Sequence, residues 1–252
     1  MKDVTLIIQG KVSQETLDFY LKNYPTLNVI ISTWTDNTLD LSKLPISYRV
    51  VTQPLPNESG FQNQNYQFIS TINGLHLATT PYVIKIRGDE YYNNIEYIYS
   101  QITQTPEKIH CSPIFFRHWS FMKFHISDHI IAGTRERVLL MFESTKQKVD
   151  NGDIFHVNDD KIHLFWEPEI NLTRGYLMAI ENDRFGFVDG RKLMIKHFNI
   201  LNIGKLEPYR IVANIFNTIW TEGFVPEENY SISDIRKLLL ENEANIYDTD
   251  IT

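Results

Sequence analysis

Lys85, Arg87, Asp89 and Glu90 crowd the end of one apolar run, PYVIKIRGDEYYNN (residues 81–94). A strand built only for a core would not carry that set, because a buried charge is costly unless it is paired. Two cations suit the oxygens of a phosphorylated ligand, and the planar fork of Arg87 grips them better than the point charge of Lys85. Asp89 and Glu90 offer the hard oxygen ligands that Mg²⁺ or Mn²⁺ takes. Residues two apart share a face of a strand, so Lys85, Arg87 and Asp89 line one side, and Ile84 and Ile86 the other. The same four charges also fit a plainer reading, a solvated strand end closed by its own ion pair. An adhesion role for Arg87-Gly88-Asp89 would need an exposed extracellular loop, and a triplet closing a buried strand does not supply one.

The elements around this stretch give it a position. VTLIIQG (4–10) is a short apolar run ending in Gly, as a buried parallel strand would be. Leu17, Tyr20, Leu21 and Tyr24 recur at helical spacing until Pro25 stops them. NVIISTW (28–34) and YRVVTQ (48–53) predict two more strands, Phe61, Phe68, Ile72 and Leu75 a helix over 61–78, and 82–87 the charged strand. The order β-α-β-β-α-β predicts a three-layer α/β/α domain with a mainly parallel central sheet. Ligands of such sheets collect beyond the carboxyl ends of the strands. Gly10–Lys11, Thr33–Asp36 and Gly88–Glu90 all fall there. The second half is less regular. It predicts strands at 109–116 and 129–133, a helix over 135–149, a strand with a following helix or loop in KIHLFWEPEINLTRGYLMAI, a helix over 208–221, and a last helix starting near Ser231 and Ser233.

Composition narrows the class. The 252 residues are 42% hydrophobic, enough for one substantial core, and the net charge of −7 argues against a general nucleic-acid binder. Cys111 is the single cysteine, which excludes an intrachain disulfide and a thiolate zinc site. No P-loop, Rossmann fingerprint, nucleophile elbow or HExxH motif occurs. The apolar stretch Val4–Ile8 is too short for a secretion signal, and no run reaches the roughly 18 apolar residues of a membrane span. The expectation is a soluble cytoplasmic protein, with peripheral membrane contact left open and the sequons at Asn57, Asn171 and Asn229 carrying no weight.

LIIQGKV, VIISTW, NYQFISTINGLHLA, YVIKIRGDE and ISDHIIAGTRE occur in this order over residues 4–140, and as an ordered set they resemble the WavE-type lipopolysaccharide-synthesis family. The resemblance implies a GT-A-like nucleotide-diphospho-sugar transferase fold over 1–252. In it, 1–95 is the nucleotide-sugar half, 96–230 the acceptor half, and 231–252 a C-terminal helix and tail. It also implies sugar transfer from a nucleotide-diphosphate sugar to a glycan or lipid-linked saccharide. GT-A enzymes hold Mn²⁺ or Mg²⁺ at a strand-end Asp-x-Asp, and here Arg87 replaces the first carboxylate while Asp89 matches the third position. By position, Gln9, Gly10, Thr33 and Asp36 match nucleoside-holding strand ends, and Asn65 and Gln67 match a helix that looks toward the donor. Lys85 and Arg87 would meet the diphosphate, Asp89 a metal with help from Glu90, and His197 matches a late metal-binding histidine. An inverting transfer needs a carboxylate base. Asp128 ranks first for that role, then Glu169 and Glu167. Trp119 and Trp166 are the candidate faces for an acceptor sugar. Two other readings stay open: a non-catalytic nucleotide- or glycan-binding relative, and an interaction protein whose strand-end charges pair with each other.

Overall fold

Alternation along the strands decides which layer each side chain serves. A computed structural model describes residues 1–114, 124–152, 168–181 and 187–210. In β1 (Val4–Gln9), Val4, Leu6 and Ile8 enter one apolar cluster and Ile7 enters another on the opposite face. β4 (Tyr82–Arg87) repeats the split, with Ile84 and Ile86 on the first face and Val83 on the second. Strands buried on both faces are those of a covered parallel sheet. β2 (Asn28–Trp34) and β3 (Tyr48–Gln53) complete the parallel half.

With β6 (Ile109–Cys111), β7 (Ile130–Thr134) and β8 (Phe198–Ile200), the sheet order is β3-β2-β1-β4-β7-β6-β8. Among the described strands of this sheet, only β7 runs against its neighbours. On the first face lie α1 (Gln14–Asn23) and α3 (Ile95–Gln104), which bury Leu17 and Tyr20, and Ile95, Ile98 and Ile102. On the second lie α2 (Gln64–Leu77), α4 (Arg135–Asp150) and α5 (Pro168–Ile180), contributing Phe68, Leu75, Val138, Phe142 and Tyr176 to that core. The result is the expected α/β architecture with a mostly parallel sheet between helical layers. A last helix, α6 (Phe187–His197), leads into β8.

Local chemistry starts and stops the helices. The Ser13 hydroxyl accepts from the Thr16 amide at 3.1 Å to open α1, which ends at Tyr24, just before Pro25. Asn94 and Thr134 cap α3 and α4 in the same way, accepting from the amides of Tyr97 and Arg137.

The first 90 residues fold in the expected order, and the helix expected over 135–149 runs from Arg135 to Asp150. Three expectations change. α3, α6 and β8 were not anticipated, although the buried isoleucines of α3 keep helical spacing. The strand expected over 109–116 covers Ile109–Cys111, and 115–116 lie outside the described residues. The helix expected over 208–221 is corrected where it can be seen. Tyr209–Arg210 form a strand, β9, antiparallel to β5 (Tyr91–Tyr92), with Tyr209 stacked on Tyr92 at 6.4 Å between ring centroids. That pairing partner lies over a hundred residues away, where local periodicity has no reach. The remainder of that helix and the C-terminal helix and tail at 231–252 lie outside the described residues. No helix among the described residues is long and apolar enough to cross a membrane.

Candidate functional site

β1 is flanked by β2 and β4, and the two connections leave on opposite faces, through α1 and through α2. A crevice opens beyond the carboxyl ends of strands at such a switch point. Its floor is main chain. The Gly88 amide donates to Gln9 O at 2.8 Å, the Ser13 amide to Gly88 O at 2.8 Å, and the Gly10 amide to Ser32 O at 2.9 Å. A side chain at Gly88 would put its Cβ 2.8 Å from Lys11 O and from Val12 Cα, so the β1–α1 loop closes on this residue only because it is glycine. A Cβ at Gly10 would meet nothing within 4 Å, which leaves that side of the crevice open.

At the mouth, Arg87 folds onto Asp89. Nε donates to Oδ1 at 3.1 Å and Nη2 to Oδ2 at 3.0 Å, a bidentate pair with both side chains still about a third exposed (30% and 38%). Partial burial works against the guanidinium charge. The hydrogen bonds and charge of Asp89, then the charges of Asp128 and Glu90, outweigh it and hold Arg87 more firmly protonated than usual.

Glu90 points elsewhere. Its carboxylate is fully buried, accepts from His129 Nδ1 at 2.7 Å and from the Tyr92 hydroxyl at 2.7 Å, and lies 3.6 Å from Arg87 Nε. Burial first, and the Glu90 charge second, push the Tyr92 phenol well up, so it stays a donor. The Tyr20 hydroxyl closes the arrangement by donating to Tyr92 O at 3.1 Å and accepting from the Tyr92 amide at 3.0 Å. Glu90 anchors the turn after β4 from the α1 side.

On the α2 side, a second polar group gathers behind Arg87. Lys85 is fully buried, and its ammonium donates to the main-chain oxygen of Asp128. Burial pushes Lys85 down, partly offset by the Asp128 carboxylate. Gln67 Nε2 donates to Asp128 Oδ2 at 2.5 Å, and the Ser70 hydroxyl donates to Gln9 Oε1 at 2.6 Å. Burial alone would raise the Asp128 carboxyl. Lys85, His129, Arg87 and His125 pull harder the other way and hold it below the usual carboxylate range. α5 brings Asn171, whose amide donates to Gln64 Oε1 at 3.2 Å, and Glu169, 3.9 Å from His125 Nε2. Gln64 Nε2, Gln67 Oε1 and Asn171 Oδ1 are buried without a hydrogen-bond partner among the described residues.

The expected site residues are thus sorted. Gln9, Gln67, Lys85, Arg87, Asp89 and Asp128 share one end of the sheet, and Glu169 stands at the same end through His125. Thr33 is buried and accepts from Asn37 Nδ2 at 2.7 Å, Asp36 is exposed in the turn after β2, and Asn65 holds the preceding loop through Glu58 O at 3.2 Å. His197 is not brought to the site. Register carries Lys85 across Ile131 and Cys111 to Ile200, so His197 sits near the level of Tyr82, at the amino ends of the strands, paired with Glu181 at 3.0 Å. Trp119, Trp166 and Glu167 lie outside the described residues. Gln64, His125, His129 and Asn171 belong to the site and were not anticipated. The one local signal for His129 is a histidine directly ahead of the apolar run IIAG, and its partner Glu90 is set by the β4–β7 pairing.

The expected metal ligands do not form a set. Asp89 spends both oxygens on Arg87, Glu90 is buried on His129 and Tyr92, and His197 is at the other end. Among the described residues, no three His, Cys, Asp or Glu side chains gather where they could hold an ion. These residues, as arranged, do not fit a divalent cation.

No curated protein matches the chain. A family model for WavE lipopolysaccharide synthesis matches residues 6–151. That span is more than half of the 252 residues and contains both flanks of the crevice, from Gln9 through Gln67 and Arg87 to Asp128 and His129. With the strand ends and their polar partners inside the match, the chain belongs to the WavE lipopolysaccharide synthesis family.

Proposed function

We propose that the protein is a GT-A-like glycosyltransferase that moves a sugar from a nucleotide-diphosphate sugar to a glycan or lipid-linked saccharide. The family is one of lipopolysaccharide synthesis, whose substrates are saccharides. The observation that carries the reading is the partly exposed Arg87 fork at the mouth of the β1–β4 crevice, with an ionised Asp128 behind it. A guanidinium there suits a diphosphate, and the space beside Gly10, where a Cβ would meet nothing within 4 Å, leaves room for one.

Transfer then runs as a displacement. The acceptor hydroxyl oxygen bonds to the anomeric carbon, the bond from that carbon to the diphosphate oxygen breaks, and its electron pair leaves with the nucleoside diphosphate. The hydroxyl proton passes to the Asp128 carboxylate. Lys85, fixed on the main chain of Asp128, and Gln67, on its Oδ2, hold that carboxylate in place, and the charges of Lys85, His129, Arg87 and His125 keep it deprotonated. Asp128→Asn is expected to lower turnover by about 10²-fold or more while donor affinity stays within a few fold. Full turnover in that variant would remove Asp128 as the base.

The test of the whole reading is a thermal-shift screen with UDP-, GDP- and CMP-linked sugars, followed by a donor-hydrolysis assay. Stabilisation by one donor class with slow hydrolysis supports a transferase. The lack of a metal-ligand set among the described residues favours a second reading, a binding relative without catalysis. Stabilisation without any hydrolysis or transfer would select it. No stabilisation by any donor would sink both and leave an interaction protein whose strand-end charges, Arg87 and Asp89, pair with each other.

A further inference from the structure

We infer that Arg87 itself holds the donor diphosphate, in place of a divalent cation, and that Asp89 is a stand-in for that diphosphate while the site is empty. The inference rests on the proposed donor-binding role and concerns how the donor's charge is met.

Three observations carry it. First, Arg87 presents Nε and Nη2 together to the two oxygens of Asp89, at 3.1 and 3.0 Å, and this two-point grip is the one a guanidinium makes on two phosphate oxygens. Second, the carboxylates do not gather for a cation. Asp89 would stand alone in this turn, because Glu90 is locked in the core by His129 and Tyr92, and among the described residues no three His, Cys, Asp or Glu side chains gather where they could hold an ion. Releasing Glu90 would strand buried polar groups, whereas Asp89, with its side chain 38% exposed, can swing into water at little cost. Third, the surroundings can carry the exchange. Lys85 is committed to Asp128 and stays behind the strand, so the fork of Arg87 is the cation that reaches the mouth from β4. Lys11 is exposed on the loop whose main chain packs against Gly88, so that loop carries a second positive charge. Displacing Asp89 removes one negative charge from the mouth as the diphosphate arrives, and Glu90, 3.6 Å from Arg87 Nε, keeps the guanidinium aimed while its partner changes.

The opposite signs expected for Asp89 make this testable. A metal ligand replaced by Asn weakens binding, and a competitor replaced by Asn strengthens it. Isothermal titration of the full chain with UDP, GDP and inorganic pyrophosphate, each in EDTA and in Mn²⁺, reads the difference. The expected result is that at least one probe binds in EDTA within about threefold of its affinity in Mn²⁺. Asp89→Asn should tighten that binding severalfold, and Arg87→Gln should weaken it by about 30-fold or more. Arg87→Lys should fall between, having the charge without the fork. Binding that needs Mn²⁺ and is lost in Asp89→Asn would overturn the inference and leave the donor-binding role standing. No binding of any probe in either condition would overturn both. Melting temperatures of the variants control for folding. If Arg87→Gln does not fold, the EDTA comparison and Asp89→Asn still decide between the two outcomes.

Discussion

At the scale of single residues, the strand-end charges are divided by what surrounds each of them. Arg87 and Asp89 face water and can exchange partners, whereas Glu90 and Lys85 are committed to buried neighbours. A buried titratable group away from the site gives an independent check on the packing. His110 in β6 accepts from Asn199 Nδ2 at Nδ1 (3.1 Å), and its Nε2 lies 3.2 Å from Thr105 O, a pairing that suits the neutral ring. Burial pushes this imidazole from 6.5 down to about 4. The unfolded chain therefore takes up a proton near the ordinary value while the folded chain does not. The stability from the neutral ring is full above the unfolded value and is lost as pH falls toward about 4. The loss over that window is about 3 kcal/mol. His197, also pushed down by burial, adds a slope of the same sign. Urea midpoints at pH 7 and pH 4.5 should differ less in His110→Gln than in the wild type, and an equal pH slope would contradict this account of His110.

At the scale of elements, the site depends on how closely α4 and α5 approach. Gly175 of α5 lies against Thr145 of α4, and an added Cβ would stand 2.7 Å from the Thr145 Cα, so the helices meet at their backbones. The Thr145 hydroxyl meanwhile donates within α4 to Met141 O at 2.7 Å and lies 3.2 Å from Leu172 O of α5. Gly175→Ala must push α5 outward. We expect a loss of about 1–3 kcal/mol, the usual cost of overpacking, seen as a lower melting temperature. Because α5 also carries Asn171 against Gln64, turnover should fall more than donor affinity, which depends on β1 and β4. Equal loss of both would show that α5 supports the whole crevice and not only its acceptor side.

At the scale of the whole molecule, the parallel strands β1, β2 and β4 are buried on both faces, and the crevice loops sit above them. Amides of β1 and β4 should exchange with solvent only through global unfolding, while those of residues 54–60 exchange by local opening. Hydrogen-exchange mass spectrometry measures this, and β1 exchanging as fast as that loop would contradict the layered core. Much of this frame was legible in the chain itself. Apolar runs such as VTLIIQ, the spacing of Leu17, Tyr20 and Tyr24, and the stop at Pro25 are local signals, and local signals set element type and order. Grouping Gly10, Thr33 and Gly88 at one sheet end followed from that order alone. Only the tertiary structure decided which charges remain available for a ligand. Lys85 is taken by Asp128 and Glu90 by His129, through pairing of β4 with a strand some forty residues later. His197 is carried to the opposite end of the sheet by the register of β8. Burial and partner choice arise from contacts distant in sequence, so residue type and spacing name the groups that can do chemistry, and packing determines which of them are free to do it.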